Sequence, residues 1–252
     1  ACTDHGAMYG VIDFYRGMKK EGLKPIIGCE VYVAPRSYTD KEGSLDRDPW
    51  HLILLAENMA GYRNLMWLVS ESFVNGFYYR PRVDHNLLLS HSEGLIALSA
   101  CLSGEVPQLI LQGQHEDAVK AAQRYEQIFG QGNFFLEMQE NNIPDQKVVN
   151  KALAEISENT GIPLAATNDC HYMYQDDAFS HEVLLCIQTG KTMSDPDRMR
   201  MHSDTFYVKS SEEMAAAFED HPEAIANTGK IADRCNVELD FGHLSLPHFE
   251  TP

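Results

Sequence analysis

The chain has 252 residues, 44% hydrophobic and 23% charged, with 17 Gly and 11 Pro spread along it, a composition that supports a buried core and excludes a disordered or low-complexity polypeptide. Its 37 acidic against 20 basic side chains give a formal net charge of −17, which repels a polyanion and excludes tight nucleic-acid binding through overall charge. Six cysteines without a C-x-x-C pair read as reduced thiols, and neither a signal peptide nor a bilayer-length apolar run is present, so the expected compartment is the cytoplasm, with no membrane partner.

The chain opens with "ACTDHG", where polar chemistry appears before an element could be completed, and this stretch reads as the tail of a strand whose upstream partner is missing. The sequence is therefore expected to be a piece of a longer one. Val11, Phe14, Tyr15 and Met18 at helical spacing, followed by Gly22, predict a helix over 10–21. "KPIIGCEVYVA" predicts a strand, "RSYTDKEGSLDRDP" an exposed loop or hairpin, and "HLILLA" a short buried strand. Tyr62, Leu65, Met66, Val69 and Phe73 mark the next helix.

The alternation continues with "GLIALSA" as strand, 115–129 as helix, "NFFLEMQ" as strand, 144–159 as helix opened by Pro144, "IPLAAT" as strand and 176–188 as helix. Strands alternating with helices predict a parallel sheet, wound open or closed; a barrel is the preferred form. After about 203 come one more predicted strand, "TFYVK", helical segments, and a tail "NVELDFGHLSLPHFETP" that reads as a connection to something further on.

In a barrel of parallel strands the active face lies at the C-terminal strand ends. Asp4 and His5, Cys101, and Asp169 with His171 occupy such positions; Glu30 lies inside a strand and His51 opens one. Together His5, Glu30, His51, Cys101, Asp169 and His171 supply imidazole, carboxylate and thiolate, the donors that bind zinc or a similar first-row ion. Six donors exceed one ion's needs, so more than one ion sharing a carboxylate is the economical reading, an arrangement that hydrolyses phosphoesters. Taken singly, Cys101 reads more readily as a small buried hydrophobe than as a ligand, Asp4 equally as a turn or cap residue, and Asp169 with His171 equally as structural. Cys2, Cys29, Cys170, Cys186 and Cys235 are expected to be plain thiols. His85, His91, His115, His181, His202, His221, His243 and His248, and the stretch "QENN", are expected to be solvated. No G-x-S-x-G elbow accompanies the serines around Cys101, which argues against a serine hydrolase.

The stretches "TDHGAMYGVIDFY", "KPIIGCEVYVAPR", "HLILLAENMAGYRNLMWLVS", "GFYYRPRVD", "GLIALSACLSGEVP", "PLAATNDCHY", "LLCIQTGKT" and "IADRCNVELDFG" resemble, in order and over essentially the whole chain, the PHP domain of bacterial replicative (C-family) DNA polymerase III alpha subunits. The resemblance implies an α/β fold, a distorted (β/α)7 PHP barrel lacking its first strand here, with a helical C-terminal segment. The PHP domain would span 1–240, and 241–252 would lead toward a polymerase palm domain. It also implies up to three divalent metal ions, with zinc first and manganese or iron as alternatives, held by His5, Glu30, His51, Cys101, Asp169 and His171. By that resemblance Glu30, His51 and Cys101 share one ion and Glu30 bridges to a second. The opening His-x-His strand and a following acidic ligand are absent from the sequence, so only the first position keeps its protein ligands. Two functions remain open: a metal-dependent phosphoesterase of the 3′-5′ exonuclease type, impaired in this chain, within a DNA-directed DNA polymerase; or a scaffold that stabilises the polymerase and docks a separate proofreading exonuclease subunit. The implied partners are DNA, through the full-length polymerase, and other replicase subunits.

Overall fold

The structure, a computed structural model, describes residues 1–242 and is mixed α/β. The first helix, α1 (Val11–Lys20), leads into β1 (Gly28–Val33) and then, through a loop with one short 3-10 turn, into β2 (Trp50–Ala56). Helix α2 (Met59–Val74) begins at Asn58, whose side chain accepts from the backbone N–H groups of Ala60 and Gly61. A short β3 (Arg82–Val83) and α3 (His85–Ser90) precede β4 (Leu95–Leu98), followed by α4 (Glu105–Leu111), α5 (His115–Phe129) and β5 (Phe134–Gln139). Helix α6 (Pro144–Thr160), β6 (Leu164–Thr167), α7 (Ala178–Thr189), α8 (Ser211–Ala217) and α9 (Pro222–Arg234) complete the described elements.

The six strands form one sheet in the order β3-β1-β2-β4-β5-β6. The alternation predicted a parallel sheet, but β2 runs antiparallel to both of its neighbours, while the β1–β3, β4–β5 and β5–β6 pairs are parallel. The cause is the polar stretch between β1 and β2, which carries no crossover helix to return the chain to the same end. Residues 2–6 run beside β1 in ladder fashion: Gly28 N–H donates to Cys2 O at 2.9 Å and Glu30 N–H to Asp4 O at 3.0 Å.

The core lies between the sheet and its helices, built on Leu54, Leu65, Leu68, Leu88, Ala97, Phe134, Leu136 and Leu153, all with no exposed surface. Each buried aliphatic or aromatic side chain of this size contributes about 1.5–3 kcal/mol. Helix α4 was not predicted; its position is fixed by buried Glu105, which takes hydrogen bonds from Tyr125 OH at 2.8 Å and Arg124 and pairs with His85 Nε2 at 3.1 Å. His85 is therefore a network member and not a solvated residue, and His91 stacks on Trp67 with ring centroids 3.8 Å apart. The predicted strand "TFYVK" is reduced to a single parallel bridge, Tyr172 to Tyr207, flanked by His171 N–H donating to Phe206 O at 2.8 Å and Val208 N–H to Met173 O at 3.4 Å. Gln139 and Asn141 of "QENN" are buried, tied to Gln146 and the Asn168 carbonyl. Most of the 241–252 connection, including His243 and His248, lies outside the described residues.

Candidate metal centre

The sheet curls so that residues 1–5, β1, β2, β4, β5 and the loop after β6 line one cavity of about 480 Å³. His5, Glu30, Cys101, Asp169 and His171 all face it, and His51 closes the group from β2. The six candidate residues thus gather at one cavity, although they form two sets.

The tight set is His5, Glu30 and His51, whose donor atoms lie within 4.8 Å of one another. Glu30 is buried, and its two oxygens face different imidazoles: Oε1 lies 2.5 Å from His51 Nδ1 and Oε2 lies 3.5 Å from His5 Nδ1. Cys101 stands at the edge, its Sγ 3.6 Å from His51 Nδ1 and 4.0 Å from Glu30 Oε1. Burial pushes the Cys101 thiol well above its usual range, reinforced by the neighbouring Glu30 charge, so a thiolate there needs a cation. His5 is pushed down by burial, against the pull of Glu30, which favours the neutral imidazole that can ligate.

Asp169 and His171 form the second set, on the far wall. Asp169 is pushed up by burial, and its backbone is left-handed at φ 50°. The His171 ring centroid is 6.1 Å from that of His5, and His171 Nδ1 lies 2.7 Å from Asp169 O. A ring nitrogen held by a carbonyl carries the proton, which leaves Nε2 as the donor to a metal. Imidazole, carboxylate and thiol converging in a partly buried pocket, with Asp169 and His171 opposite, fit a divalent first-row cation.

The turn carrying Cys101 is tight. Gly104 approaches Ser99 O so closely that a Cβ would sit 2.0 Å from it, and His51 N–H donates to Ser103 O at 3.0 Å, docking the turn onto β2. Sequence reasoning missed Glu137, a buried carboxyl on β5 that also lines the cavity; its only signal was a charged residue inside the apolar run "NFFLEMQ". It also missed His181 on α7, expected to be solvated, whose ring packs 5.5 Å from that of His171 and whose buried Nδ1 has no hydrogen-bond partner among the described residues.

Residues 1–141 match the profile of the PHP domain family. Over its whole length the chain is 47% identical to the DNA polymerase III subunit alpha of Treponema pallidum, 45% to that of Borreliella burgdorferi and 43% to that of Thermus aquaticus. It spans 22%, 22% and 21% of those proteins respectively, so it matches about a fifth of their length.

Proposed function

Because the chain belongs to the PHP domain family, in the form carried by DNA polymerase III alpha subunits, we propose that its cavity is a divalent-metal site built for phosphodiester hydrolysis. The observation that carries the reading is Glu30, a buried carboxylate whose two oxygens address two imidazoles, with a thiol beside them. Glu30, His51 and Cys101 would hold one ion, zinc being favoured by the thiol donor. His5 is near enough to Glu30 to join them or to share a second ion with Asp169 and His171. When bound, the ion supplies an activated water and stabilises charge building on the phosphoryl oxygens.

The protein's own groups supply the frame. Glu30 orients His51, the Asp169 carbonyl orients His171, and burial of His5 favours the neutral imidazole that can ligate. DNA would reach the cavity through the rest of a polymerase in the cytoplasm, since a chain of net charge −17 offers a phosphate backbone little attraction of its own. Assay of the longer polymerase chain for metal-dependent release of nucleotides from a 3′ end tests the reading. Activity abolished by chelation and by His51→Ala is expected, and equal activity in the variant would overturn it.

A second reading, a scaffold within the polymerase that also docks a proofreading subunit, is favoured by one feature. Helix α7 buries only Leu185 and Cys186, while Phe179, Leu184 and Ile187 are mostly exposed, with Met173 and Tyr174 beside them. Apolar surface of that extent is typical of a contact face. The scaffold reading predicts no nucleotide release with any divalent ion.

A further inference from the structure

Glu137 belongs to neither ligand set, yet its buried carboxyl faces the same cavity. Its oxygens reach in opposite directions across the sheet. Oε2 accepts the backbone N–H of Ala100 at 3.0 Å on the β4 side; Oε1 accepts the Thr167 hydroxyl at 2.5 Å on the β6 side and Gln139 Nε2 at 3.1 Å. The Glu137 N–H donates to Ser99 Oγ at 2.8 Å, a second tie to the end of β4. Since β5 lies between β4 and β6, this one residue spans three strands.

What it holds are the two strained turns that carry metal donors. Ala100, directly before Cys101, has φ 62°, and Asp169, two residues after Thr167, has φ 50°. Left-handed backbone is unfavourable for residues with a Cβ and persists where surrounding contacts over-determine it. A glutamate buried in an apolar strand is itself unfavourable against an apolar residue of the same shape, and three donors converging on it give the reason for its presence.

We propose that Glu137 is a positioning residue for the metal centre: its carboxyl staples the Ala100–Cys101 turn to the Thr167–Asp169 turn, so that the thiol from one strand end and the carboxylate and imidazole from another face the same cavity. The assignment rests on the metal-site reading above and extends it to the group that sets the spacing between the two walls. The staple operates in either protonation state, because the Ala100 N–H donates to Oε2 whether or not Oε1 holds a proton.

The test uses the chain with cobalt(II), whose thiolate charge-transfer band reports Cys101 directly, and amide exchange by NMR on the metal-free protein. Glu137→Met keeps the length and removes the acceptors; Glu137→Gln restores an acceptor for Ala100. In Glu137→Met the Ala100 amide is expected to exchange at least about tenfold faster while Ala97, bonded to Asn133 O within the sheet, keeps its protection. Cobalt affinity is expected to fall about 10–100-fold and the thiolate band to weaken, with most of both recovered in Glu137→Gln. A role in stability alone would lower protection at both amides and leave the band of the folded molecules unchanged; that result overturns the proposal, as does unchanged exchange at Ala100. If Glu137→Met does not fold, Thr167→Val removes the β6-side tie alone, and cobalt affinity equal to wild type in that variant overturns the proposal. A wild-type chain with no thiolate band, matching Cys101→Ala, would instead defeat the metal reading, and Ala100 exchange then decides the staple by itself.

Discussion

Glu30 Oε1 lies 2.5 Å from His51 Nδ1 although the two are not opposite in the β1–β2 ladder, where Glu30 faces Ile53 and His51 faces Tyr32. An offset of two residues puts both side chains on one face of the sheet as a diagonal pair, and only long side chains span that distance. The pair is therefore set by strand register. A one-residue slip of β2 against β1 would put His51 on the opposite face from Glu30.

Removing either member should abolish tight metal binding. Glu30→Gln and His51→Ala are each expected to weaken zinc by more than ~100-fold, since each takes one donor from a small set. Competition titration against a chromophoric chelator measures it, and wild-type affinity in both variants would defeat the assignment.

The position of the ion follows from the same geometry. By resemblance Glu30, His51 and Cys101 share one ion, whereas the donor atoms that lie closest together in the structure are those of His5, Glu30 and His51. Anomalous scattering at the zinc edge is expected to give one strong peak among these three, within bonding distance of Cys101. Strong density beside Asp169 and His171 with none beside Cys101 would contradict this.

The alternation of apolar runs and amphipathic segments made the large elements legible, because α5 and α6 each bury one face and β1 is buried along its whole length. What stayed hidden was set by tertiary contact. β3 is two residues long, α3 and α4 are held by Asp84 capping Leu87 N–H and by the Glu105 network, and no local period announces such short pieces. The candidate site was readable as a list of donor types, but not as two walls. Glu137 escaped because a lone buried carboxylate has no motif; its meaning lies in Ala100 and Thr167, residues unremarkable by themselves.

Arg82 makes the sharpest stability prediction. It is fully buried and donates to the carbonyls of Gly76, Tyr38, Asp40 and Asp46, tying the long β1–β2 loop to the end of α2. Arg82→Met leaves several carbonyls unpaired and is expected to cost roughly 3 kcal/mol or more, with Arg82→Lys rescuing little because an ammonium cannot reproduce the fork. Urea unfolding with a midpoint unchanged from wild type would refute it.

DNA affinity of the chain alone should be weak. With 37 acidic and 20 basic side chains, binding of single- or double-stranded DNA at moderate salt is expected only at high micromolar concentration or weaker, about the non-specific range. Fluorescence anisotropy showing submicromolar, steeply salt-dependent binding would contradict the charge argument.

The last prediction concerns pH. Burial pushes Glu137 up to about 7, reinforced by the Asp169 and Glu30 charges and opposed by its hydrogen bonds with Thr167 and Gln139. An unfolded glutamate titrates near ~4.3. The folded state therefore holds the proton more tightly than the unfolded state, so this group's contribution to stability is fully present below the unfolded value and is lost as pH rises through about 7. The shift corresponds to about 3 kcal/mol across that window. With chelator present, the unfolding free energy of wild type should fall by about that amount relative to Glu137→Gln between pH 4 and 8, since the amide does not titrate and every other group is common to both proteins. Parallel pH profiles would mean that Glu137 is charged at no cost, which its burial and its two acidic neighbours do not permit.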